Sequence, residues 1–211
     1  LVKGAPLANP VSASPSIHAL RLAMHQWVAK GIEPPASVVP KISDGSLVPA
    51  AAVNFPAVPG LASPHAVSAG GRVANPRWPD GAGGGTALPL LVPRVDADGN
   101  DLPGIRMPDV AVPLGTATGW VFRPEAMGSP HEFYLLRGAW VPFAATQAGR
   151  EATGDPRPSL EDRYASKDDY LAQVRGVLGD LVSRRLLEEI DLEKQVRQAG
   201  ERWDWVVENG R

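Results

Sequence analysis

The chain has 211 residues, 44% of them apolar and 21% charged, with a net charge of −2 and no cysteine. That length suits one domain or two small ones, and the near-neutral balance without a Lys/Arg cluster argues against nucleic acid or an anionic membrane as partner. The lack of cysteine excludes a disulfide scaffold, a thiolate zinc site and a cysteine nucleophile, and leaves the compartment open.

No apolar run is long enough for a membrane span; Ala87 to Val92 is among the longest. The chain starts at Leu1 without a charged-then-apolar leader, and is expected to be a piece of something longer. Glycine and proline are unevenly spread. Up to Arg157 there are 21 Pro and 18 Gly, against 1 Pro and 4 Gly from Pro158 onward. Proline cannot donate to a helix or sheet ladder, so the first part is expected to hold loops, turns and short strands. The second part is expected to be helical, with the boundary near Gly154 to Pro158.

In chain order, the first predicted element is a helix from about Ser16 to Lys30. Ile17, Leu20, Met24, Trp27 and Val28 recur at helical spacing, Gly31 supplies a left-handed stop, and Pro34-Pro35 forbid continuation. An extended stretch from Val38 to Val58 follows, with a turn at Asp44-Gly45. Residues 59 to 86 have no usable periodicity and are expected to be an irregular surface excursion. Leu88 to Val95 and Ile105 to Val112 flank the turn-rich Asp96 to Asp101 and predict strand, turn, strand. Gly115 to Arg123 is a third β-prone stretch. In the tail, Ser159 opens a short helix, and Ser166 with Asp169 has the form of a capping box. Tyr170, Val174, Val177, Leu178 and Leu181 make the stripe of the next helix, and Asp191 is placed to cap a last one.

Catalytic motifs are missing. No serine has glycine two before and two after it, so the nucleophile elbow of the serine hydrolases is absent. His131-Glu132 begins like a zinc-protease helix, but Leu135 stands where the second ligand belongs. His18 and His25 are seven residues apart on one helix, roughly 10 Å of rise, too far to share a metal ion. They are expected to be boundary or solvated side chains. Asp96, Asp98 and Asn100 resemble the start of a calcium loop, yet Asp101 and Met107 stand where glycine and glutamate belong, so a turn is favoured. Gly81 to Gly85 lacks the Lys-Ser/Thr of a phosphate loop. No metal or cofactor is therefore expected. Leu114 to Arg123, with two glycines, two threonines, Trp120 and Arg123, could line a pocket mouth. A bent strand with Trp120 as packing anchor and Arg123 on a carboxylate is the favoured reading.

Four stretches together resemble the C-terminal portion of the bacterial alpha/beta hydrolase domain-containing proteins, large esterase-like enzymes. They are Ala19 to Val28 with Gly31 and Pro34-Pro35; Val95 to Val112; Thr118-Gly119-Trp120; and Gly138 to Phe143 running through Gly154 to Arg157, Glu161 and Arg163-Tyr164. In that family the nucleophile serine and the Gly-Thr-x-His segment both precede the Trp27-like helix, and neither motif occurs here, so no catalytic residue is carried over.

The resemblance implies an α/β or α+β fold. It would be the C-terminal part of an α/β-hydrolase, with a core-packing helix, a short-stranded β region and a helical tail. The expected division is 1–44 for the end of the hydrolase core, 45–125 for a loop-rich β extension and 126–211 for the tail. Its helix would lay Ile17, Leu20, Met24, Trp27 and Val28 on a sheet the chain does not contain. The function implied is the non-catalytic part of a serine esterase acting on small carboxylic esters, partnered by the remainder of the hydrolase core, with Trp120, Arg123 and Trp140 walling the substrate cleft. The alternative is a stand-alone ligand- or protein-binding module without enzymatic activity, stacking a carbohydrate or peptide on Trp78, Trp120 or Trp140.

Overall fold

The computed structural model describes residues 6–61, 73–74, 86–87, 89–130, 132–134 and 138–210. Trp78, His65, His131 and the Gly81 to Gly85 run lie outside the described residues, as does most of the expected irregular excursion. Among the described residues the fold mixes six helices with small antiparallel sheets.

The first strand, β1 (Leu7–Ala8), leads into α1 (Ser14–Lys30). Pro15 fits the first turn of α1, where a missing N–H costs nothing, and left-handed Gly31 (φ 69°) ends it as expected. Strand β2 (Leu47–Pro49) follows the turn at Asp44-Gly45, which Gly45 closes with φ 71°. Strands β3 (Val73–Ala74) and β4 (Thr86–Ala87) pair with each other. Strand β5 (Leu91–Pro93) pairs with β2, in the register Val48 to Val92.

Here the expected strand-turn-strand is corrected. The second arm, Ile105 to Val112, is no strand but carries a short helix, α2 (Pro108–Ala111). Pro108 cannot donate to a ladder and its fixed φ suits a first helical turn, while Asp109 favours the positive helix end and pairs with Arg202. Only an isolated bridge, Val95 to Asp101, remains of the hairpin.

The third β-prone stretch shortens to β6 (Gly115–Ala117), which pairs with β7 (Ala139–Pro142). Strand β7 also pairs with β1, through Leu7 to Trp140, giving the order β1-β7-β6. Of the three expected β-prone stretches only the last joins this sheet; Leu88 to Val95 supplies β5, which pairs with β2 in a separate sheet. Helix α3 (Gln147–Thr153) is capped by Thr146 and ends on left-handed Gly154.

Beyond Pro158 the tail is helical as predicted. In α4 (Leu160–Arg163), Ser159 and Asp162 form a reciprocal capping box. In α5 (Lys167–Ser183), the Ser166 hydroxyl accepts from the Asp169 N–H, but the Asp169 carboxylate reaches the Ala165 N–H instead, so the predicted box is half made. Helix α6 (Glu189–Asn209) corrects the expected start, because Asp191 lies inside its first turn and not at its cap. The core lies where these helices meet α2 and the three-stranded sheet. Tyr170, Val174, Leu178 and Leu181 of α5 pack with Val196, Ala199 and Val206 of α6, and with Met107, Leu114, Trp140 and Phe143.

Helix α1 is turned the opposite way from an ordinary surface helix. Its small side chains Ser16, Ala19 and Ala23 are buried, whereas Ile17, Leu20, Leu22, Met24, Trp27 and Val28 are exposed, Val28 to 77%. Burying a large apolar side chain is worth roughly 1.5–3 kcal/mol. Within this chain α1 forgoes most of that.

Candidate functional site

The turn at Asp96 to Asp101 and the strand after it form a polar node in the protein interior. The Asp96 Oδ1 accepts from the N–H groups of Asp98 (3.0 Å) and Asn100 (2.9 Å), and Gly99 turns the chain with φ 84° against the Phe55 ring. Asn100 then acts as a strand edge made by a side chain. Its Oδ1 accepts from the Ala117 N–H at 2.8 Å and its Nδ2 donates to the Gly115 carbonyl at 3.1 Å. The two aspartates have cationic partners, Asp96 with Arg106 at 2.7 Å and Asp98 with Arg163. The oxygens that a calcium ion would need are thus spent on the chain, which is how a turn with three acidic or amide side chains is stabilised.

At the centre lies Arg157, only 2% exposed. All five of its guanidinium donors have an acceptor. Its Nε and Nη2 hold the Asp155 carboxylate at 2.9 and 2.5 Å. Its Nη1 donates to Thr116 Oγ1 (2.7 Å) and the Val141 carbonyl (3.0 Å), and Nη2 also reaches the Pro142 carbonyl (3.3 Å). The cation sits over the Phe143 ring at 5.0 Å, and Arg163 lies over the same ring at 4.0 Å. Burial pushes the Asp155 carboxyl up, but the Arg157 hydrogen bonds outweigh it and hold it below the ordinary 3.8. Burial raises the Tyr164 phenol, whose O–H donates to the Pro113 carbonyl at 2.8 Å. These groups keep fixed charge states at neutral pH and brace the β6–β7 sheet.

The hydroxyls near this node are committed too. Thr116 donates to the Asp98 carbonyl, and Thr118 donates to the Trp120 carbonyl at 2.5 Å while accepting from the Ala139 N–H. Among the described residues no serine or threonine hydroxyl is hydrogen-bonded to a histidine. His18 pairs with Asp191, Nδ1 to Oδ2 at 2.7 Å, at the protein surface. A nucleophile needs an adjacent base to deprotonate it, and neither Thr116 nor Thr118 has one; the Ser159 hydroxyl donates to Asp162 as part of its helix cap.

Of the three candidate wall residues, Trp120 and Arg123 lie in one segment with different partners, and Trp140 lies apart. Trp120 lies half-buried in a run of four rings. Its centroid is 5.7 Å from Phe55 and 5.6 Å from Phe122, and Phe122 stacks on the half-exposed Phe133 at 5.4 Å and 10°. Arg123 follows Phe122 and meets Glu132 at 3.6 Å, both well exposed. Trp140 belongs elsewhere. It is 7% exposed and packs on Trp205 with centroids 5.7 Å apart, beneath the three-stranded sheet. Sequence reasoning missed the Arg157 node, although Asp155 and Arg157 were among the residues that carried the family likeness. It missed Phe55 and Phe133 as well, because rings 65 and 13 residues from Trp120 leave no local pattern.

The profile of the family described as alpha/beta hydrolase domain matches residues 4–197. No curated protein and no solved structure matches the chain. With the match running from ahead of β1 into α6, the chain belongs to the alpha/beta hydrolase domain family.

Proposed function

We propose that this chain is the non-catalytic C-terminal part of a serine esterase acting on small carboxylic esters, the catalytic serine and histidine being supplied by a segment that precedes it. The observation that carries this reading is the reversed polarity of α1. A helix that buries Ala19 and Ala23 at 1% and 3% exposure while leaving Trp27 at 48% is built to be covered on its outer side. The remainder of the hydrolase core is the partner proposed for that face. In such an enzyme serine attacks the ester carbonyl with histidine as base, an oxyanion hole holds the tetrahedral intermediate, and water releases the acid. The Arg157 node braces the sheet behind. Trp120 and Arg123 face the substrate cleft in this proposal, and Trp140, buried against Trp205, takes no part in it.

The proposal is tested by p-nitrophenyl acetate turnover. This chain alone is expected to hydrolyse it at the background rate, and the longer enzyme that carries the serine is expected to turn it over. Saturable turnover by the chain alone would overturn the reading. The second reading, a binding module, draws on the aromatic run that ends at exposed Phe133. It predicts saturable quenching of tryptophan fluorescence by a carbohydrate or peptide in a small ligand panel, whereas the esterase reading predicts none.

A further inference from the structure

Helix α5 ends in an unusual way. The Arg185 N–H donates to the Val182 carbonyl and the Leu186 N–H to the Leu181 carbonyl, both at 2.9 Å, and Arg185 itself is left-handed with φ 58°. Helix α3 closes with the same pair of bonds, from Gly154 to Glu151 and from Asp155 to Arg150, but there glycine takes the left-handed place at φ 64°. Helix α1 also stops on a left-handed glycine, Gly31. A β-carbon crowds the neighbouring carbonyl in this conformation, so glycine is its ordinary occupant. Arginine at the end of α5 accepts that strain, and a strained position calls for a reason.

The reason lies in what its side chain reaches. Arg185 Nη1 donates to the Glu33 carbonyl and Nη2 to Gln26 Oε1, each at 2.8 Å, across 152 and 159 residues. Gln26 lies in the last turns of α1, and Glu33 lies three residues past its end. Near its other end, His18 meets Asp191 in the first turn of α6. Between these two contacts α1 offers only small buried side chains, and a gap of about 360 Å³ lies there, lined by Ala19, Ala23, Gln26, Val182 and Leu187 among others. Small side chains over a gap define a helix tilt poorly, because few atoms interlock.

We infer that Arg185 is a positioning residue. Together with the His18–Asp191 contact it clips both ends of α1 to the helical tail, so the tail sets the tilt at which Ile17, Leu20, Met24, Trp27 and Val28 face outward. The consequence for assembly rests on the proposed seating of the hydrolase core on that face; the clip itself does not. Residue-resolved hydrogen exchange on this 211-residue chain tests it. In Arg185→Gly, α5 and α6 keep or gain protection, since glycine suits the left-handed place, while amides of the last α1 turns exchange about tenfold faster, the size of a lost charge-assisted hydrogen bond. Gln26→Ala shifts α1 in the same direction and leaves α5 unchanged. Arg185→Lys, which keeps the charge and loses the fork, falls between wild type and glycine. Rates in α1 within about twofold of wild type in both Arg185→Gly and Gln26→Ala would overturn the inference and reduce Arg185 to an awkward helix end. Esterase turnover by this chain alone would sink the seating proposal and leave these rates as they are.

Discussion

Arg157→Met is the substitution for which the structure gives the largest expected loss. Methionine fills a similar volume and keeps contact with Phe143, but it removes all five donors at once. The Asp155 carboxylate is then left buried without its cation, and Thr116 and the carbonyls of Val141 and Pro142 each lose a partner. Breaking a buried ion pair from one side costs about 3–5 kcal/mol. Set against a total stability on the order of 5–15 kcal/mol, that is a large fraction. At roughly 2–4 °C per kcal/mol for a chain of this size, calorimetry is expected to find the midpoint lowered by about 10 °C. The double variant Asp155→Leu/Arg157→Met removes the stranded charge as well, and is expected to recover at least about 1 kcal/mol of the single variant's loss. A single variant within about 1 kcal/mol of wild type would refute the argument that the guanidinium is paired and dry. So would a double variant less stable than the single one.

Acid titration gives a second check. Because the Asp155 carboxyl is held below its ordinary 3.8, its contribution is fully present above that value and is lost as pH falls through the folded pKa; in Arg157→Met that acid-side loss is expected to shrink, so the stability gap between variant and wild type narrows as pH falls. Two glycines should behave oppositely in thermal melts. A β-carbon on Gly115 would lie 2.6 Å from the Val141 carbonyl oxygen and 2.8 Å from Pro142 Cα, so Gly115→Ala is expected to cost about 1–3 kcal/mol; Gly176 in α5 meets nothing, and Gly176→Ala should stabilise by about 0.5–1 kcal/mol. On the outer face of α1, Met24→Gln with Trp27→Gln is expected to leave stability of the chain within about 0.5 kcal/mol while reducing binding of the dye ANS. Strong destabilisation there would mean that the face is already packed.

Helices were the most legible part of the sequence. The Gly31 stop, the Ser159 and Ser166 caps, and the Tyr170, Val174, Leu178 and Leu181 stripe are signals carried within a few residues, and each lies where it was expected. Strands were less legible. Residues 105 to 112 hold the β-branched Ile105, Val110 and Val112 beside a turn-rich segment and so mimic a hairpin arm, but Pro108 and Asp109 open a helical turn there, and the true partner of β5 is β2, more than 40 residues upstream. Pairing at that distance is decided by tertiary packing, which no local pattern records. The interior charges were hidden for a related reason. Arginine is ordinarily a surface residue, and only the convergence of Asp155, Thr116 and two strand carbonyls makes the interior acceptable for Arg157. Trp120 and Trp140 were indistinguishable as candidates, since each tryptophan sits on a short strand or bend; only the structure puts one in an aromatic run and the other beneath a sheet.

The central claim is that bond cleavage is supplied by residues outside this chain. Incubation of the purified chain with a fluorophosphonate, followed by intact mass measurement, tests it most directly, because such reagents modify a serine only when a neighbouring base activates it. The account predicts an unchanged mass. Stoichiometric addition to any one serine or threonine would contradict it.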